Sequence, residues 1–125
     1  MLPMIEINNL TDEKVDLESV RSTVFQTLKL EGKDIDISIA IVPSEEIWRV
    51  NKQYRDKDKA TDVLSFEDIN EIMVCLDEVR KNGENFNDEF KKVLIHGTLH
   101  VLGYDHEKDS GEMLQKQDQY FNLIK

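Results

Sequence analysis

Between Asp16 and Leu30 the residues Leu17, Val20, Val24 and Leu28 recur at steps of three and four. That spacing puts them on one face of an α-helix, and Glu31-Gly32 supplies its stop. Ile35, Ile37, Ile39 and Ile41 then alternate with Asp36, Ser38 and Ala40, which predicts a strand with one buried face. Pro43 ends that strand, Ser44 stands where an N-cap is needed, and a short helix carrying Ile47 and Trp48 follows. Beyond a charge-rich stretch from Arg49 to Lys59, Val63–Phe66 and Ile72–Leu76 predict two short strands. A polar connector containing Gly83 leads to a helix over about Asp88–Leu102. The last helix is expected to begin near Asp109, where Asp109 and Glu112 have capping-box spacing, and to run through Leu114, Tyr120 and Phe121. With a strand at the N-terminal end the order is β-α-β-α-β-β-α-α. It predicts an α+β (mixed α/β) fold with one small sheet packed with helices.

Length and composition add bounds to this pattern. The chain has 125 residues, 39% of them hydrophobic, with five glycines and two prolines. It has no Gly/Ser-rich linker, repeat or low-complexity tract, so a single domain over 1–125 is expected. One cysteine, Cys75, cannot form an intrachain disulfide. The N-terminal segment has neither a basic nor a long apolar region, so no secretory signal is expected. No apolar run reaches the ~18–20 residues of a bilayer span. These features point to a reducing, cytoplasmic setting.

The candidate chemistry lies in the helix before the last. All three histidines fall between His96 and His106. His96 and His100 are four residues apart, so on a helix both imidazoles project from one face. Gly103 stands just past the apolar run, where a left-handed glycine ends a helix and lets the chain reverse. His106 then returns towards the same point. The pattern H-x3-H-x2-G-x2-H gathers three nitrogen ligands and leaves a fourth position open, as in a catalytic zinc site; a Cys-rich structural site is excluded. A buried histidine more often simply satisfies a core hydrogen bond. This helix, however, is apolar nearly all round (Val93, Leu94, Ile95, Leu99, Val101, Leu102), and two imidazoles on it need partners that one metal ion supplies. Nickel and copper suit imidazole as well, but three nitrogens with one vacancy favour zinc.

Gly97 costs this helix about 1 kcal/mol against alanine. Either the helix packs tightly against a neighbour there, or its backbone must lie close to the cleft. Metzincin proteases with the same histidine spacing carry glutamate in this position as the general base. Glycine here removes that group, so a peptidase is disfavoured.

Charge first argues against nucleic acid. Sixteen Lys and Arg against 26 Asp and Glu leave a net charge of −10, which repels a phosphate backbone. Along the chain the charge is uneven. Arg49, Lys52, Arg55, Lys57 and Lys59 face only Asp56 and Asp58, which leaves +3 over 49–59 and −13 over the other 114 residues. Such a run is commonly just a solvated face. It also orients an anionic substrate locally, and Tyr54-Arg55 offers an aromatic face beside a bidentate guanidinium.

Two blocks now stand together: Asn51-Lys52-Gln53-Tyr54-Arg55-Asp56-Lys57-Asp58-Lys59-Ala60-Thr61-Asp62-Val63-Leu64-Ser65-Phe66, and His96-Gly97-x-Leu99-His100-x-Leu102-Gly103-Tyr104-Asp105-His106. This pair closely resembles the YbeY family of bacterial rRNA maturation factors. The resemblance implies a zincin-like mixed sheet of about four strands with helices. It also implies a zinc-dependent, single-strand-specific endoribonuclease acting in 16S rRNA 3′-end maturation and ribosome quality control. Zinc would then sit on His96, His100 and His106, with Arg55 as the functional arginine. The partners implied are single-stranded rRNA, the small ribosomal subunit and its assembly factors. The chain departs from the family at Glu67, where proline is usual after Ser-Phe, and at Asn70-Glu71-Ile72, where Gly-Asp-Ile is usual. No role of that Gly-Asp pair transfers.

The mechanism this suggests is metal-assisted cleavage of an RNA phosphodiester, with Arg55 offsetting the charge of the transition state. Asp62, Glu67, Glu71 and Asp105 are candidates for the general base, and either water or the ribose 2′-hydroxyl for the nucleophile. Asp105 also has two simpler readings, orienting a histidine or favouring the turn. Two other functions compete: a ribosome-assembly binding module whose metal is mainly structural, and a zincin-like hydrolase of a non-nucleotide substrate.

Overall fold

The computed structural model describes residues 2–125; Met1, part of the N-terminal segment read above, lies outside them. In chain order the elements are β1 (Ile5–Asn9), α1 (Leu17–Leu30), β2 (Ile37–Ile41), α2 (Ser44–Arg55), β3 (Val63–Phe66), β4 (Glu71–Val74), α3 (Leu76–Val79), α4 (Phe86–Val101) and α5 (Glu112–Leu123). The four strands form one mixed sheet in the order β1-β2-β4-β3. β1 and β4 flank β2 in parallel, and β3 pairs antiparallel with β4 at the edge. The fold is α+β.

The period-two pattern of the strands divides the apolar residues between two faces. Ile37 and Ile39 of β2 and Ile72 and Val74 of β4 meet Val20, Val24 and Leu28 of α1 and Val93, Leu94 and Val101 of α4. On the other face, Leu64 of β3 joins Ile47 and Val50 of α2, with Ala40 and Met73 packed alongside. A third cluster, Ile95, Leu99, Met113, Tyr120 and Ile124, lies between α4 and α5. From Val93 onward helix α4 is therefore covered on nearly every side, which explains why that part of it is apolar nearly all round.

Local chemistry explains the element ends. The Asp16 carboxylate accepts from the Ser19 amide at the start of α1. At the other end Gly32 takes φ +67, with Lys33 N–H donating to Leu28 and Gly32 N–H to Lys29; these are the paired bonds of a Schellman stop. Ser44 does not cap α2. It is the first helical residue after Pro43 and its hydroxyl makes no cap bond; instead it contacts Cys75 Sγ at 3.4 Å. Helix α2 also extends well beyond Ile47 and Trp48, running into the charged stretch as far as Arg55. Asp109 does serve α5, from two residues before its N-cap, Gly111. Its carboxylate accepts from the Gly111 and Met113 amides, and Glu112 accepts from Ser110 N–H.

The β3–β4 connection, where the chain departs from its resemblance, is a single 3-10 turn over Glu67–Ile69 closed by Asn70 at φ +50. After glycine, asparagine is among the residues that best tolerate that left-handed conformation. Asn70 thus supplies what a glycine would.

Gly97 is settled by packing. A Cβ there would lie 3.0 Å from Ile72 Cγ2 and 3.1 Å from Val63 Cγ2, both on β-branched strand residues that have little room to turn. We expect Gly97→Ala to lower stability by about 1–2 kcal/mol, because overpacking outweighs the gain in helix propensity. Urea unfolding measures this, and a stabilised variant would show that α4 can move off the sheet at little cost.

Candidate metal centre

His96 and His100 lie on consecutive turns of α4. The helix then ends in a second Schellman turn, with Gly103 at φ +101, Tyr104 N–H donating to Leu99 and Gly103 N–H to His100. Asp105 shapes the reversal that follows: its carboxylate accepts from the Glu107 amide at 2.9 Å, and its carbonyl accepts from the Lys108 and Asp109 amides. That is the turn reading of Asp105. It brings His106 back, and one ring nitrogen from each of His96, His100 and His106 lies within 4.8 Å of the others.

Two of the rings are held from behind. Nδ1 of His96 is 2.7 Å from Oε1 of Gln117, and Nδ1 of His100 is 2.9 Å from the Tyr104 carbonyl oxygen. Carbonyl oxygens only accept, so each Nδ1 carries the proton and each Nε2 keeps its lone pair. Burial holds both imidazoles below the ordinary histidine range, and the charge of the neighbouring imidazoles pushes the same way. Three converging imidazole nitrogens are a donor set that can hold a transition-metal ion.

The histidines line a cleft of about 1050 Å³. Of the five cations from 49 to 59, only Arg55, Lys57 and Lys59 reach it. Arg49 pairs with Glu46 on the surface of α2, and the Lys52 ammonium lies over Trp48. Arg55, at the last turn of α2, donates from Nη2 to the Ser65 carbonyl at 2.7 Å, while the Ser65 hydroxyl donates to the Gly97 carbonyl at 2.9 Å. The arginine is thus tied through β3 to the helix of the histidines. Asn51 shapes the loop after it. Only 2% exposed, its side chain donates to the Lys59 carbonyl and its own carbonyl accepts from Lys57 N–H.

The cleft is not uniformly basic. Lys108 joins those three cations, but Asp62, Glu67, Asp68, Asp105 and Glu107 also line it. Glu71, the remaining candidate base, stands at the start of β4 and is not among the lining residues. Asp62 accepts from Asn82 at 2.8 Å.

Sequence reasoning missed Gln117, Glu31 and Asn51. A signal for the first was present: Met113, Gln117, Tyr120 and Ile124 form one helical stripe, and an amide in that stripe is out of place. In the sequence Glu31 marks only the end of a helix. Its carboxylate, 7% exposed, accepts from Tyr104 Oη at 2.7 Å, from Lys116 Nζ at 3.1 Å and from Tyr120 Oη.

Comparison with known proteins places these features in a family. The family model described as Endoribonuclease YbeY matches residues 6–125. A protein from Nautilia profundicola named Endoribonuclease YbeY is 38% identical over 97% of this chain and 91% of its own length. One of the same name from Thermotoga maritima is 40% identical over 86% of this chain and 80% of its own. A solution structure of a Thermotoga maritima protein superposes with a TM-score of 0.69 at 35% identity, covering 95% of this chain and 87% of that one.

The Glu31 cluster generates an acid-stability prediction. Burial alone would raise this carboxyl, but hydrogen bonds from Tyr120, Tyr104 and Lys116 outweigh it and hold it below the ordinary range. A lowered folded pKa stabilises the fold above the unfolded value, and that stability is lost as pH falls through the folded value. Glu31→Gln is expected to cost about 1–3 kcal/mol at pH 7. The gap to the parent protein should close in urea melts taken towards pH 3. A gap unchanged by acid would show that the carboxylate charge is not what holds the cluster.

Proposed function

The chain belongs to the endoribonuclease YbeY family, and from that premise we propose that it is a zinc-dependent, single-strand-specific endoribonuclease. We place its action in 16S rRNA 3′-end maturation and in ribosome quality control, on RNA presented by the small ribosomal subunit and its assembly factors. A family match over residues 6–125 supports one catalytic domain across the chain. Among the described residues no helix is long and apolar enough to cross a membrane, and Cys75 is free and buried; a cytoplasmic setting accords with both.

The observation that carries the reading is the convergence of three imidazole nitrogens in a cleft that Arg55, Lys57 and Lys59 also line. His96, His100 and His106 would hold the ion, and all three donors are nitrogen, which favours zinc over magnesium or calcium. Zinc bound there would supply Lewis acidity, polarising a phosphoryl oxygen and lowering the pKa of a water molecule. Arg55 binds non-bridging phosphate oxygens and offsets the charge they gain as the phosphorus centre is attacked. Lys57 and Lys59 hold neighbouring phosphates of the strand, and the Phe66 ring, 5.9 Å from the Arg55 guanidinium, gives that arginine an apolar flank. A wide cleft that carries several cations suits an unpaired strand, which bends into it where a duplex does not.

Three proteins tested side by side decide the matter: the parent chain, His96→Ala and Arg55→Ala, purified without a histidine tag. The parent chain should carry about one zinc per chain and cleave a single-stranded RNA in preference to a duplex. His96→Ala should lose both metal and cleavage. Arg55→Ala should keep the metal and lose roughly 10²–10³ in rate. Undiminished cleavage by His96→Ala would sink the metal mechanism. Unfolding on chelation alone would favour the binding-module reading with a structural metal.

A further inference from the structure

Helix α5 contributes no residue to the wall of the histidine cleft, yet both oriented rings lead back to it. Gln117 sits half-buried between Met113 and Tyr120 in the stripe that packs on α4. An amide in such a seam is costly unless its polar atoms find partners, and leucine would fill the place at lower cost. The partner Gln117 finds is Nδ1 of His96. One residue earlier Lys116, and three residues later Tyr120, reach the Glu31 carboxylate at the end of α1. That carboxylate also accepts from the Tyr104 hydroxyl, and the carbonyl of the same tyrosine accepts from Nδ1 of His100.

We infer that Gln117 directly, and Glu31 through Tyr104, are positioning residues that fix the ring orientation and tautomer of His96 and His100. The functional consequence rests on the metal-centre reading proposed above; the tautomers themselves are a property of the metal-free protein. An imidazole without a partner behind it samples two tautomers and several ring orientations, and only a fraction of them point an unprotonated nitrogen at the shared point. Fixing Nδ1–H in advance removes that search. Loss of such a partner typically weakens metal binding 10–100-fold. A glutamine present only to fill the seam would have no such effect.

The test uses the full chain in its metal-free form, with imidazole tautomers read from long-range ¹H–¹⁵N correlations and affinity from Co²⁺ titration. The parent protein should show Nδ1–H at both His96 and His100. Gln117→Leu should release His96 into a tautomer mixture and weaken Co²⁺ binding 10–100-fold. Gln117→Glu, which keeps an acceptor in place, should retain Nδ1–H at His96. Tyr104→Phe, which cuts the link to Glu31 and preserves the ring, should loosen His100 and leave His96 alone. Unchanged tautomers and unchanged Co²⁺ affinity in Gln117→Leu would overturn the inference, as would an Nε2–H tautomer at His96 in the parent protein. Failure of the parent protein to bind Co²⁺ or Zn²⁺ would overturn the metal reading instead, and the tautomers would still decide this one.

Discussion

The close seating of α4 against the sheet is the contact on which the rest depends. Gly97 lets the helix backbone approach Val63 of β3 and Ile72 of β4 more closely than any side chain would permit. That approach brings the carbonyl of residue 97 within reach of the Ser65 hydroxyl, and Ser65 in turn offers its own carbonyl to Arg55. The residue type that makes the site poor for a peptidase is thus the one that couples the histidine helix to the arginine. Both consequences come from the missing side chain at one position.

Much of this was legible in the sequence, for identifiable reasons. Helix α1 and strand β2 followed from local periodicity, because the spacing of their buried residues is unambiguous. The four-residue step from His96 to His100 and the glycine at 103 describe local geometry, and local geometry is what sequence spacing encodes. Ser44 was misplaced because Pro43 itself supplies the extended residue before the helix, so a serine that resembles a cap is already one turn position too late. The extent of α2 was hidden because its outer face is charged and only Ile47, Val50 and Asn51 are buried. Glu31 was out of reach altogether. Its partners are Tyr104, Lys116 and Tyr120, more than seventy residues away, and nothing along the chain marks a helix-end glutamate as their common acceptor.

Charge illustrates the limit of averages. A net −10 argues against an RNA partner, and +3 over eleven residues argues for one, but neither sum describes the cleft. Once folded, two of the five cations of that run are spent on Glu46 and Trp48 at the helix surface. The three that remain share the cleft with five carboxylates and with Lys108. A cleft lined by both signs of charge attracts a phosphate chain less than a uniformly basic one, which disfavours general adhesion.

The two halves of the site are held to different tolerances. A metal ion fixes its ligands to within about half an ångström, and the histidines are supported accordingly: two on a buried helix, two with Nδ1 hydrogen-bonded from behind, the third returned by a Schellman turn and the backbone bonds to Asp105. A flexible strand of phosphates accepts wider error. Lys57 and Lys59 stand on a short loop whose shape rests on the buried side chain of Asn51 and a left-handed Asp56. Between the two stands Arg55, on the last turn of a helix yet bonded to a strand carbonyl. That intermediate degree of constraint suits the role proposed for Arg55, which would meet both a fixed reacting centre and a mobile polymer. From the histidines to Arg55 to the two lysines, the hydrogen bonds that hold each group grow fewer, in step with the demands of what each would bind.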